Sequence, residues 1–286
     1  GLIKISDVDI GKFQISGENY KGNIILKDIV CEDVNIRSLA NYSNLQFVNL
    51  QPLSEASKLS IVDSHLEKVT FVNSQLHNFK TYNIMHSNFS LIKSANTKWF
   101  TYEQLHENIE HLNKMLAGNP TKGTREVVVE HKEITFLEIK EIFRQLKYAM
   151  DQQGDRVMSL RFRSYEMEAY FRALQITKKR HNIDRLILFL GKSNDHGVNW
   201  SRPLKILLIL TACFYIVLFY AASPNYVFGY GELNIKQFIS DLWEYKKVIP
   251  QMFNPTHSVE KIFPEGFYIS GYLMTFDLLY KIVFSY

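Results

Sequence analysis

Asp277 and Lys281 stand four residues apart inside an apolar run, FYISGYLMTFDLLYKIVFSY, at the end of a 286-residue chain. On a helix that offset puts both on one face, where carboxylate and ammonium can pair. Ionisable groups in an apolar helix are costly and usually face a bundle interior or a water-filled path. Two readings follow: a pore-lining pair, or a structural pair near the inner interface with Lys281 snorkelling. Other chemistry-bearing residues carry less. His106 and His111 fall on different helix faces and do not share a metal. Glu166 and Glu168, at i and i+2, point to different sides; they read as helix-surface partners of Arg163 and Arg172, not as a general acid/base pair. His257 has no ligand-type neighbour in the sequence. No nucleotide loop, HExxH, GxSxG or CxxC occurs, so no enzyme, metal site or cofactor is expected. Cys31 and Cys213 cannot make a disulfide framework and read as small hydrophobes.

Composition sets the frame for the elements that hold these residues. The formal net charge is +4, apolar residues make up 46% and charged ones 22%. Thirteen Gly and seven Pro exclude long disorder and a collagen-like fibre. No block of five like charges exists, so a polyanion-binding tail is excluded and no nucleic-acid partner is expected. The chain begins Gly-Leu-Ile-Lys-Ile within a repeat and stops at Tyr286 within an apolar stretch. That pattern reads as a chain lacking a short start and a C-terminal continuation.

Residues 1 to about 98 repeat with a period of five. From Leu59 the pentads are LSIVD SHLEK VTFVN SQLHN FKTYN IMHSN FSLIK SANTK. The first column is Leu59, Ser64, Val69, Ser74, Phe79, Ile84, Phe89 and Ser94. The third is Ile61, Leu66, Phe71, Leu76, Thr81, His86 and Leu91, and the fifth is polar throughout. Earlier pairs at the same offset are Ile3/Ile5, Val8/Ile10 and Phe13/Ile15, then, after a one-residue slip, Ile24/Leu26, Ile29/Cys31 and Val34/Ile36. Two inward residues separated by one outward residue describe a short extended edge followed by a corner, and Asn and Asp suit corners because they tolerate left-handed backbone. Such fixed short self-similarity predicts a solenoid whose coils each touch only their neighbours. Gln51–Lys58 interrupts the pattern and reads as a bulged loop; a sandwich of irregular strands is the alternative. The block resembles the pentapeptide-repeat family, which implies a right-handed quadrilateral β-helix with four pentads per coil. With roughly 9 acidic and 10 basic residues in the block, the DNA mimicry of some family members is not expected.

Beyond the repeats the period becomes helical. Tyr102–Leu116 predicts a helix, AGNPTKGTRE a break, Val127–Val129 a short strand. From Thr135, Phe136, Ile139, Ile142/Phe143, Leu146 and Ala149/Met150 mark a helix that ends at Gln152–Asp155, with Gly154 as C-cap and Asp155 as N-cap of the next. That third helix carries Met158, Phe162, Tyr165, Ala169 and Leu174, and an amphipathic segment spans Ile183 to about Gly191. Ile206–Ala222 holds 17 consecutive uncharged residues, close to the roughly 20 needed to cross a bilayer. A second, weaker span covers 267–286. Lys and Arg crowd the N-terminal side of the first span, which places the first 200 residues in the cytoplasm and 223–266 outside. Arg202, Lys205, Trp200 and Trp243 read as membrane-interface anchors. Ile235–Val248 predicts an outer amphipathic helix with Ile235, Phe238, Ile239, Leu242 and Tyr245 on one face. The predicted divisions are 1–100 solenoid, 101–203 juxtamembrane helices, and 204–286 membrane region with helices about 204–222 and 267–286.

Two longer strings suggest a function. VFGYGE is similar to the potassium-filter string TVGYG, in which backbone carbonyls replace an ion's hydration shell. That filter follows a re-entrant helix, whereas here the helical segment 235–248 comes after it and the Thr is absent. Gly229, Tyr230 and Gly231 therefore read as a tight outer turn with only weak filter character. The second string is FRQLKYAMDQQGDRVMSLRFRSYEMEAYFRAL followed by SNDHGVNWSRPLKILLIL. Its Arg144-Gln145-Leu146-Lys147, Gly154-Asp155, Glu166-Met167, Gly197 and Arg202-Pro203 resemble a bacterial membrane family. In that family pentapeptide repeats precede juxtamembrane helices and a two-helix, ion-channel-like transmembrane module. The resemblance implies a channel-like or pore-forming inner-membrane subunit that works as a homo-oligomer, with the solenoid as a cytoplasmic sensing or assembly domain. Its partners are then the lipid bilayer, further copies of itself, and a cytoplasmic protein or small ligand of the solenoid. A solenoid scaffold tethered to the membrane and a membrane-disrupting defence effector are the alternatives.

Overall fold

The computed structural model describes residues 1–107, 122–176, 182–192, 195–199, 201–223, 235–254, 256–258, 267 and 271–285. Two compact units divide the chain, Gly1–Val198 and Asn199–Tyr286.

The first unit opens with a β-solenoid of about four turns. Its strands are β1 (Leu2–Asn19), β2 (Asn23–Asn41), β3 (Leu45–Val48), β4 (Gln51–Pro52), β5 (Lys58–Val62), β6 (His65–Leu66), β7 (Val69–Val72), β8 (Thr81–Met85) and β9 (Lys93–Ala95). Every pairing is parallel. Ile5, Leu26, Phe47 and Phe71 stack in one inward column, and Ile15, Ile36, Ile61 and Ile84 in another. From the second coil on these side chains are almost wholly buried. Phe47 and Phe71 lie nearly face to face, with centroids 5.1 Å apart.

Corners repeat as columns too. Asp7, Asp28, Asn49, Asn73 and Asn96 occupy equivalent positions and all have φ between 50° and 58°. Asn49 donates to the Asp28 carboxylate (2.8 Å) and Asn96 to the Asn73 carbonyl oxygen (2.9 Å), so the corner side chains form ladders of their own. Short polar side chains are the ones that accept this left-handed backbone. The lane serines cross-link the coils: buried Ser64, Ser74 and Ser87 accept the backbone N–H of Leu39, Leu50 and Ser64.

Coil length is uneven. Cys31 pairs with Pro52, but Asp33 pairs with Lys58, so the additional residues of QPLSEASK are expelled as a loop without disturbing the stack. The expected third column fails after Leu76. Ile84, Phe89 and Ser94 follow Ile61, Leu66 and Phe71 in that lane in place of Thr81, His86 and Leu91, while Tyr82, Ser87 and Ile92 follow Leu59, Ser64 and Val69 in the first lane. A short 3-10 turn at Leu76–Asn78 shifts the phase, because a coil need only return the chain to the next rung and not keep a count of five.

Helices cover the last coil. α1 (Lys122–Gln152) begins well before the expected Thr135 and includes Val127–Val129, so the expected strand there is helix. Strand propensity is a weak preference that context overrides. Of the helix expected over 102–116, residues 102–107 are helical and the rest lies outside the described residues. α1 and α2 (Arg156–Ile176) lay Phe136, Ile139, Ile142, Phe143, Leu146, Met150, Phe162 and Ala169 into the same core as the solenoid. Phe71, Trp99 and Phe162 continue the aromatic column from coil to helix. Glutamines finish the open rung: Gln145 accepts the Phe89 N–H (2.8 Å), Gln153 accepts the Ser94 N–H (2.7 Å) and donates to the Ile92 carbonyl (3.1 Å), and Gln104 donates to the His77 carbonyl (2.6 Å). Such an edge would otherwise present unpaired backbone groups.

The RQLK…GD…E string thus has structural work. Besides Gln145 and Leu146, Lys147 reaches buried Glu166 at 2.6 Å, so the Glu166 partner is Lys147 and not Arg163. Glu168 does pair with Arg172 (3.3 Å) and also with Lys192 (2.9 Å). Gly154 takes φ 77°, and Asp155 accepts the Met158 N–H at 3.1 Å, as the cap positions require. On α3 (Asn182–Lys192), Arg185 donates to the Leu174 carbonyl, closing the end of α2. A Cβ at Gly191 would lie 2.9 Å from His196 Nδ1, so only glycine admits that ring.

Phe71→Ala should cost about 3–5 kcal/mol, read by denaturant unfolding; a loss below about 1 kcal/mol would mean the aromatic column is loosely packed. Burial, with Lys98 adding to it, holds the His77 ring below its ordinary value, and burial does the same to His196. Both are favoured neutral in the folded state, so their contribution is present above about pH 6.5 and is lost as pH falls through the lower folded values. Thermal melts of His77→Gln should lose less stability than wild type on acidification.

Candidate functional site in the apolar unit

The second unit is built from α4 (Ser201–Ala222), α5 (Ile235–Glu244), α6 (Val248–Met252) and α7 (Gly271–Ser285). Among the described residues α4 is the one helix long and apolar enough to cross a membrane. Over the second span expected at 267–286 the described helix is α7, with 15 residues, so among the described residues one candidate span is seen and not two.

α4 meets α7 through Phe214, whose ring lies 4.7 Å from Phe276 and 4.9 Å from Tyr280. Phe219 gathers Phe238, Tyr245 and Phe267 around it, which brings in α5 and the residues that follow. Of the expected apolar face of 235–248, Phe238, Leu242 and Tyr245 pack inward, while Ile235 and Ile239 are exposed. Trp243 is exposed with the Lys246 ammonium 4.1 Å from its ring centroid, and Arg202 and Lys205 are exposed near the start of α4. Trp200, Gly229, Tyr230 and Gly231 lie outside the described residues.

At the centre of this unit is a polar network. Asp277 and Lys281 do pair, Nζ to Oδ2 at 2.6 Å, as their helical spacing implies. A third member joins them: His257 Nε2 is 2.8 Å from Asp277 Oδ1. The side chains of His257 and Asp277 are 5% and 4% exposed, so the carboxylate faces a histidine of its own protomer and not solvent. An Asx turn aims the ring: Asn254 Oδ1 accepts from the Thr256 N–H and hydroxyl, and the Asn254 carbonyl receives the His257 N–H. Lys281 donates also to the His257 carbonyl (2.6 Å), fastening the backbone to α7. Next to Lys281 in the chain, buried Tyr280 donates to the Met252 carbonyl (3.1 Å). That uses its only proton, so Thr211 is the donor in the 3.1 Å contact between the two hydroxyls.

Both ring nitrogens of His257 are engaged, Nδ1 with the Asn254 carbonyl at 2.6 Å and Nε2 with Asp277. Neither is free to take a proton from a nucleophile, so this is not a hydrolase triad. Among the described residues no group of three His, Cys, Asp or Glu is placed to hold a metal ion. The chemistry on offer is the holding of charge and protons inside an apolar body. Sequence spacing reached Asp277 and Lys281 but not His257, Tyr280 or Thr211. His257 stands in the sequence without a ligand-type neighbour, and nothing local names its partner.

Asp277→Ala should cost about 3 kcal/mol in detergent, because it takes the carboxylate away from buried His257 Nε2 and from Lys281; thermal unfolding measures it, and a change within about 0.5 kcal/mol would remove the network from the core. Compared with known proteins, the chain matches no family model, no curated protein and no solved structure.

Proposed function

We propose that this chain is an integral membrane, channel-like subunit in which a cytoplasmic β-solenoid is the sensing or assembly domain. The observation that carries the proposal is the inverted polarity of the second unit. Leu204, Ile206, Leu208, Ile209, Ile216, Val217 and Tyr220 of α4 are exposed, while Asp277, His257 and Thr211 are turned inward. A body in water does the reverse; one in lipid must bring its polar groups together inside. On α3, Ile183, Ile187 and Phe189 are exposed, an amphipathic surface suited to the headgroup level. The solenoid is read as the right-handed quadrilateral β-helix of pentapeptide-repeat proteins, in agreement with its near-pentad spacing and parallel register. The membrane is a bacterial inner membrane, crossed more than once, with the interface cations of α4 on the cytoplasmic side. One protomer cannot enclose water, so conduction requires a closed homo-oligomer. No enzymatic reaction is assigned.

A second reading is favoured by one observation, that the His–Asp–Lys network is satisfied within a single protomer. On that reading the unit is an anchor and the solenoid a scaffold for a soluble partner. Proteoliposomes separate the two. Dye-reported ion flux that appears only with assembled oligomers is the expected result. Tight vesicles at every protein density would leave the anchor. A protein that stays monodisperse without detergent would remove both.

A further inference from the structure

We infer that the outer face of β2, β5 and β8 carries a binding site for a small hydroxylated carboxylate, a molecule with the chemistry of a sugar acid. Asn35, Ser60 and Asn83 follow one another there from rung to rung, and beside them run Lys12, Asp33 and Lys58. Ser60 is shorter than the asparagine on either neighbouring rung. The gap above it belongs to a cleft of about 230 Å³ that all six residues line. Polar capacity left unused marks this cleft. Along other outward rows the solenoid pairs polar side chains with the next rung: Asn44 with Asn23, Asn49 with Asp28, Asn96 with Asn73. The six side chains of the cleft make no hydrogen bond or ion pair with one another or with any other described residue. The Asn35 amide oxygen is buried without a donor, and folded proteins leave few such groups. The last side-chain torsion of asparagine is soft, so a small rotation turns that oxygen to a ligand in the cleft.

Charge and donor count select the ligand. Lys12 and Lys58 against Asp33 leave one positive charge in excess, which favours a single negative charge over a neutral zwitterion. The Asn35 oxygen and the Asp33 carboxylate only accept, so the ligand must also donate, while Ser60 and Asn83 do both. A carboxylate answers the lysines, and hydroxyls answer the rest. The volume lies below the roughly 300–1,000 Å³ of sites for drug-sized ligands, so one small ring or chain fills it. In the larger cleft of about 550 Å³ beside α1, by contrast, His86 is spent on Asp63 and Glu138, and Gln145 on the Phe89 N–H. The inference rests on the sensing role proposed for the solenoid only for what binding achieves; the site itself stands on this face alone.

The test is ligand-observed saturation-transfer NMR on the full chain in lipid nanodiscs. Glucuronate, galacturonate and gluconate are the probes, glucose the neutral control, and empty nanodiscs the blank. At least one of the acids should draw saturation from the protein, and more strongly than glucose does. Asn35→Thr and Lys58→Gln should each weaken its apparent affinity about fivefold, as one lost hydrogen bond does, with the melting temperature unchanged. No saturation of any acid would overturn the inference. So would a glucose signal equal to that of the acids, or affinities that neither substitution alters. Binding that leaves ion flux in proteoliposomes unaltered would keep the site and remove only the sensing role.

Discussion

A single coil of a parallel solenoid has no stability of its own; its backbone groups and inward side chains are satisfied only by the coil above and the coil below. The first unit follows from that constraint. Stacking puts like on like, so columns of Ile and Phe, ladders of Asn and Asp, and rows of buried Ser all arise from the same register. It also creates an end. The final rung has to be closed by something that supplies both apolar surface and hydrogen-bonding groups, and α1 and α2 do so with Phe143, Phe162, Gln145 and Gln153. The helices are therefore a terminus of the solenoid, sharing its core.

The second unit answers the opposite demand. Its outward surface on α4 is rich in apolar side chains, and among the described residues Asp277, His257, Thr211 and Tyr280 are turned inward onto polar partners within the unit. Partners that lie far apart in sequence are held by one helix: Tyr280 ties α7 to α6 and α4, while Asp277 and Lys281 tie it to the turn at His257. Removing Asp277 takes a partner from both His257 and Lys281 at once, so the energies of these contacts are coupled.

Period five was legible because the inward residues of a pentad are chemically distinct from its corner, and the left-handed φ values at Asn49, Asp63 and Asn73 fall where polar corner residues were expected. The slip near Phe79 was not legible. Thr81 and Tyr82 both fit an inward lane by composition, and only the neighbouring rung selects the tyrosine. Likewise the apolar face of α1 after Thr135 could be read from its period, while nothing in that period marked Gln145 and Gln153 as caps of the solenoid edge. Glu166 read as a surface partner of Arg163; packing of α1 on α2 buried it and gave it Lys147 instead.

From the linear order of residues alone came the stacked-coil region, its expelled loop, the helices after Thr135, the apolar helix α4 and the Asp277–Lys281 pair. All of these depend on periodicity or on partners within one helical turn. The tertiary structure alone decided that the solenoid and helices share a core, that Tyr280 joins α7 to α6 and α4, and that His257 completes the buried network. Those contacts join residues tens of positions apart, and no local pattern carries the distance between chain segments that only packing brings together.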